Sequence, residues 1–187
     1  MLLLINMMTI IKTITLFFYH DGTERPIQRP CDPDEQEEFY SGKQQEHTIK
    51  NILLIDDRCV IHFLSATYAG KWHDTSLADD AHYVLPPEST LYQDRGFQGF
   101  TVPHASIRQP MKKPRSGTLT FDQKAENRRI TSEKIRIEHT IGRVKRCRII
   151  KDRIRSWKDG IRDMVMLIAC GLHNLRLRHR PWKYDTY

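Results

Sequence analysis

The sequence predicts a mixed α/β layer fold. Short apolar runs rich in β-branched and aromatic residues fill the first half, helical apolar spacing takes over after about residue 120, and clusters of Gly, Pro and Asp separate the runs. A chain of 187 residues suits one domain with a full core. An apolar content of 39% and a charged content of 28% place it among soluble globular chains and exclude an intrinsically disordered one.

The first 20 residues, MLLLINMMTIIKTITLFFYH, are strongly apolar. A signal or anchor would need a basic start or an uninterrupted span. This stretch has no basic start and no small-residue cleavage site, and Asn6 and Lys12 interrupt it. Residues 14–19 read as a buried strand that stops in a turn at His20-Asp21-Gly22-Thr23, and residues 1–12 are set apart as an extension with no assigned role. Residues 23–45 carry Pro26, Pro30, Pro33 and Ser41-Gly42 and read as a long polar excursion. The runs 47–55 (HTIKNILLI) and 59–66 (CVIHFLSA) flank Asp56-Asp57-Arg58 as a hairpin. Residues 70–83 open as a loop and become a short helix ended by Pro86-Pro87, residues 89–93 form a short strand, and 107–109 an edge strand before the basic loop Lys112-Lys113-Pro114-Arg115. Thr120 and Gln123 have capping-box spacing at the start of a helical region. Within it Ile130, Ile137, Ile141 and Val144 recur at near-helical intervals. A last helix from about Asp159 carries Ile161, Val165, Ile168, Leu172 and Leu175 as an apolar stripe expected to face the core.

Charge divides the chain. Residues 1–102 hold 8 Lys/Arg against 15 Asp/Glu, and residues 103–187 hold 22 against 8. The basic half suits a polyanion and salt-dependent nucleic-acid binding, while the acidic half can hold cations. Solvated charged faces would give the same totals. Cys31, Cys59, Cys147 and Cys170 have no metal-finger spacing and read as isolated thiols.

Three acids stand out by position. Asp21 and Asp94 each follow an apolar strand directly, and Glu138 lies inside a basic helix. Carboxylates on fixed backbone make good ligands for two Mg²⁺ (or Mn²⁺) ions about 3.5–4 Å apart. Each also has a plain structural role open to it. Asp21 and Asp94 suit turns, and Glu138 suits an i−4 ion pair with Lys134.

At these residues the sequence resembles a known family. The segments 21–29 (DGTERPIQR), 40–51 (YSGKQQEHTIKN), 70–74 (GKWHD), 94–100 (DRGFQGF), 110–114 (PMKKP), 127–145 (with IEHTIGRVK around Glu138) and 171–174 (GLHN) resemble, in the same order, blocks of bacterial insertion-sequence transposases of the DDE superfamily, in the branch related to Harbinger-type nucleases. The resemblance covers about residues 20–178, and it rests on ordered blocks, any one of which alone would be weak. It implies a ribonuclease-H-like fold, with a mixed central sheet flanked by helices and a helical C-terminus. The catalytic domain would span 13–180 and a tail 181–187. It also implies Asp21, Asp94 and Glu138 as catalytic metal ligands, with Asp74 as an accessory acid or a turn residue. Lys112, Lys113, Lys134, Arg143, Lys145 and Arg146 are the expected DNA contacts. Lys134 stands where an arginine is common and Thr131 where a tyrosine often lies, so the bidentate phosphate geometry of arginine is lost.

The expected activity is a metal-dependent DNA endonuclease and strand transferase acting at mobile-element ends. Relatives usually carry a helical DNA-recognition domain before the first aspartate, and the 20 apolar residues here do not accommodate a helix-turn-helix. The expectation is therefore an N-terminally shortened copy, or one served by a separate upstream product. The competing reading is a catalytically idle, basic nucleic-acid-binding remnant. A structure-specific or RNA-cleaving nuclease of the same fold is a third. The partners implied are DNA, a second copy in a synaptic complex, or a separate recognition domain. The implied location is cytoplasmic, without stable membrane association.

Overall fold

The computed structural model describes residues 17–115, 117–158 and 160–182. The extension at 1–12, the first part of the strand expected at 14–19, and residues 183–187 of the tail lie outside these.

The first strand, β1 (Phe17–Pro26), runs straight through the acidic turn expected at residues 20–23. Asp21 and Gly22 pair across the sheet with Leu53 and Ile52. Asp-Gly is a turn signal only where the chain is free to reverse. Here both neighbours lie in a ladder with the long strand β3 (Glu46–Asp56), and the pairing overrides the local preference. The excursion expected over 23–45 is correspondingly shorter and contains a helix, α1 (Pro33–Phe39). Asp32 caps it by accepting from the backbone N–H of Asp34 and Glu35, and Pro33 fills the first turn, where a missing N–H does no harm. A two-residue strand, β2 (Tyr40–Ser41), leads into β3.

The expected hairpin is present. The Asp56 side chain accepts from the backbone N–H of Arg58 and Val60 and closes the loop, and β4 (Ile61–Leu64) and the two-residue β5 (Tyr68–Ala69) return along β3. Next come the short helix α2 (Asp74–Ala81), β6 (Thr90–Tyr92), a 3₁₀ turn (Arg95–Phe97) and the edge strand β7 (Ser106–Arg108). The seven-stranded sheet is mixed: its main path runs β2-β3-β1-β6-β7, with β4 and β5 on β3, and β6 is parallel to both β1 and β7.

The capping box at Thr120 and Gln123 forms in both directions and opens the 24-residue helix α3 (Phe121–Val144). A one-turn helix, α4 (Arg148–Lys151), and α5 (Ile161–His179) complete the chain. Strand alternation sorts the core onto two faces of the sheet. Tyr19, Leu53, Ile55 and Tyr92 pack with Ile130, Ile137 and Val144 of α3, Ile150 of α4, and Met166, Ala169 and Cys170 of α5. Phe18, Ile52, Leu54 and Leu91 pack on the other face with Leu77 and Ala78 of α2 and with Phe97, Phe100 and Val102.

The stripe expected to seat the last helix does so only at its start, where Val165 packs partly buried against the core. Ile168, Leu172 and Leu175 are 54%, 51% and 51% exposed, and the buried positions are Met166, Ala169, Cys170, His173 and Leu177. Polar anchoring sets the rotation. The Asn174 side chain accepts from the Ile61 N–H and donates to the Ile61 carbonyl, and the His173 ring bonds the Cys59 carbonyl. Buried backbone groups need partners, and these bonds outrank the larger apolar residues of the opposite face. Among the described residues no helix is long and apolar enough to cross a membrane.

Candidate active site

Asp21 lies on the same face of β1 as Tyr19, because successive side chains alternate, and that face looks at α3. Asp94 follows β6, the strand parallel to β1, and caps the 3₁₀ turn by accepting from the Arg95 N–H at 2.9 Å. Glu138 lies on α3, one turn after Lys134 and two turns before Lys145. The structure brings all three acids to one cleft of about 650 Å³, together with Asp74, Glu24 and Lys145.

The electrostatics of the cleft are set by burial and by two lysines. Burial pushes the Asp21 carboxyl up to about 6. The Lys134 ammonium and the hydrogen bond from the Gly22 N–H oppose that rise, while the charges of Asp94 and Asp74 add to it. At Asp94 burial also acts upward, but the Arg95 N–H and the Lys134 ammonium outweigh it and hold this carboxyl below the usual range. Lys134 is buried, with its Nζ 3.1 Å from Asp94 Oδ1. Lys50, likewise buried, lies 3.3 Å from Glu24 Oε1 and 3.6 Å from Asp74 Oδ1, and donates to the Trp72 carbonyl at 2.9 Å. Each ammonium therefore sits beside carboxylates that would otherwise repel one another.

The donor set is all hard oxygen, which suits Mg²⁺ or Mn²⁺ in type. In spacing it is looser: among the described residues no group of three His, Cys, Asp or Glu side chains stands as a site that could hold an ion.

The expected DNA-binding residues fall in different places. Lys112 borders a small hollow with Arg95, Gln109 and Met111, on the Asp94 side, and Lys113 is exposed beside it. Lys134 is buried behind Asp94, which lines the cleft. Lys145 is half-buried and donates from Nζ to the Glu24 carbonyl at 2.9 Å, so it is bound to β1. Arg143 stacks over the Trp182 ring, with its guanidinium carbon 3.6 Å from the ring centroid. Arg146 is exposed and lines a second hollow of about 560 Å³, with Arg148, Lys151 and Asp152. Lys145 and Lys151 border both this hollow and the carboxylate cleft, which makes the two continuous.

Sequence reasoning missed Glu24, Lys50 and Lys151. The sequence places Glu24 in the polar excursion, whereas in the structure it faces Lys50 in register across β1 and β3. The available signal was Lys50 itself, a lone ammonium inside the apolar run HTIKNILLI that needs a buried carboxylate partner.

The comparisons with known proteins agree on one family. A model described as DDE superfamily endonuclease matches residues 20–174. A probable transposase for insertion sequence element IS702, from Microchaete diplosiphon, is 32% identical over 157 residues, which is 84% of this chain and 56% of that protein. The chain thus spans little more than half the length of that relative. No solved structure matches.

Proposed function

The chain belongs to the DDE superfamily endonucleases, and from that premise we propose that it is the catalytic domain of a transposase that cuts and joins DNA phosphodiesters with divalent metal at Asp21, Asp94 and Glu138. The single observation that carries the proposal is the meeting of these three acids, from β1, from the end of β6 and from α3, in one cleft that continues into a basic hollow. The same arrangement of mixed sheet and flanking helices supports a ribonuclease-H-like fold.

In this reading Asp21, Asp94 and Glu138 hold one or two Mg²⁺ or Mn²⁺ ions. When bound, the metal lowers the pKa of the attacking hydroxyl and stabilises the leaving oxygen. The residues of the chain do the rest. Strand pairing fixes Asp21 against β3, and the Arg95 N–H orients Asp94. Lys134 offsets carboxylate repulsion until a cation enters and can then turn to phosphate. Arg146, Arg148 and Lys151 line the path of a phosphate backbone leaving the cleft. Contacts of this kind position DNA without reading its bases. The partner is DNA, and the recognition of particular ends falls to a further domain or a second copy.

A nicking assay on DNA carrying the element ends tests the proposal. Parent protein with Mn²⁺ or Mg²⁺ is expected to nick, and the same protein with chelator or the Asp94→Asn variant is not. Metal-independent nicking, or an Asp94→Asn protein as active as its parent, would overturn it. DNA binding without nicking under any metal would leave the idle remnant as the correct reading.

A further inference from the structure

Asp74 lies at the start of α2, away in sequence from both β1, which carries Asp21, and the 3₁₀ turn that Asp94 caps, yet its carboxylate lies beside glycines of both segments. A Cβ added at Gly22 would come 3.4 Å from Asp74 Oδ1, and one added at Gly96 would come 3.0 Å from Asp74 Oδ2. Gly22 directly follows Asp21, and Gly96 is two residues after Asp94. Neither glycine has a positive φ, so neither is required for backbone freedom. At Gly96 the missing side chain provides room that the Asp74 carboxylate occupies, while at Gly22 a Cβ would meet the carboxylate at ordinary contact distance.

Two further contacts hold this end of α2 in place. Lys50 Nζ stands 3.6 Å from Asp74 Oδ1 and is itself fixed by Glu24 and the Trp72 carbonyl. The neighbouring Thr75 hydroxyl donates to the Gly96 carbonyl at 2.8 Å, so α2 is tied to the turn after Asp94 on two sides of the same glycine.

We propose that Asp74 is a positioning residue whose carboxylate, wedged between Gly22 and Gly96 and braced by Lys50, sets the spacing of Asp21 and Asp94. The proposal rests on the assignment of those two acids as metal ligands. It gives Asp74 a role through shape and its ion pair with Lys50 rather than as a ligand, and it explains why a glycine stands two residues after Asp94. Asn has nearly the same shape and keeps an acceptor for Lys50. Ala leaves the wedge empty. Ala at position 96 competes with the carboxylate for the same space.

The test measures Mn²⁺ affinity from the paramagnetic resonance of the free ion, and the kcat and KM of nicking, on the whole chain. Circular dichroism checks that each variant folds. Asp74→Asn is expected to keep Mn²⁺ affinity within about threefold of the parent. Asp74→Ala and Gly96→Ala are each expected to lose about tenfold or more in affinity and in kcat, with KM for DNA little changed, because a 1 Å misplacement costs on the order of 10²-fold. The double variant Asp74→Ala/Gly96→Ala is expected to be no worse than Asp74→Ala, since the added methyl enters vacated space. Additive losses in the double variant, or a parent-like Asp74→Ala, would overturn the wedge. So would Asp74→Asn losing as much affinity as Asp94→Asn, which would make Asp74 a ligand. If Asp94→Asn itself bound Mn²⁺ like the parent, the assignment of the ligands would fall, and the positioning role with it. If Asp74→Ala does not fold, the comparison of Gly96→Ala with Asp74→Asn still decides between wedge and ligand.

Discussion

Lys134 Nζ stands 3.1 Å from Oδ1 of Asp94, a residue that lines one cleft with Asp21, Asp74 and Glu138. The lysine side chain is 8% exposed and the aspartate side chain 52%. An ammonium in that position does the electrostatic work of a cation before any cation arrives. Lys134→Ala is expected to lower the stability of the metal-free chain by about 1–2 kcal/mol, between the values for surface and buried pairs, because Asp94 keeps some access to water. Added Mg²⁺ is then expected to raise Tm more in the variant than in the parent, since nothing must be displaced from Asp94. Equal Mg²⁺-induced shifts in thermal melts would show that the lysine and the metal do not share the site.

Asp21 makes the opposite kind of prediction. Its folded carboxyl titrates at about 6, above the ordinary value of 3.8, so the folded chain binds this proton more tightly than the unfolded chain does. Above about pH 6 the group is ionised in both states, and the folded state bears the full cost of the buried charge. The cost fades as pH falls through the folded value and is gone near the unfolded one. Asp21→Asn, which keeps the acceptor for the Gly22 N–H, is therefore expected to be more stable than the parent above about pH 6, by up to about 3 kcal/mol. The gain should vanish near pH 4. Urea titrations in chelator at several pH values check this; a constant difference across the range would place the cause elsewhere.

The basic hollow beside the cleft gives a third. Arg148 and Lys151 lie on its wall, and the Arg148 side chain is paired only at the surface, with Asp152 at 3.0 Å. Arg148→Ala and Lys151→Ala should each leave stability nearly unchanged and lower the slope of log affinity for DNA against log salt by about one unit. An unchanged slope in both would remove the hollow from the DNA path.

Much of the fold could be read directly. The hairpin at Asp56, the capping box at Thr120 and the strand before Asp94 follow local rules that the tertiary structure does not contest. The failures have a common cause in long-range pairing. Asp21-Gly22 looks like a turn until β3 is laid beside it, and the rotation of α5 depends on Asn174 and His173 meeting backbone groups more than a hundred residues away. The cleft was legible in part for the same reason. Asp21, Asp94 and Glu138 announce themselves by position and motif, whereas Glu24 and Lys50 become a pair only through the register of two strands.

Lys145 combines both kinds of information and gives the sharpest test. The helical spacing places it two turns beyond Glu138 on the same side of α3, and the resemblance marks it as a DNA contact. In the structure its Nζ donates to the Glu24 carbonyl at 2.9 Å, and burial lowers its pKa below the usual ammonium value while the Glu24 charge pulls it back up. An ammonium has three donors, so one bond to β1 leaves two for phosphate. The lysine therefore belongs to the fold and is still able to serve the substrate. Lys145→Met keeps much of the apolar stem and removes the charge. It is expected to cost about 1–3 kcal/mol of stability, the range for losing a charged hydrogen bond and stranding its acceptor. The DNA salt slope should fall by about one unit in the same variant. Chemical denaturation and DNA binding across a salt series measure the two separately. A stability loss with an unchanged slope would confine Lys145 to holding β1 against α3, and an unchanged stability would mean that its bond to Glu24 contributes nothing to the fold.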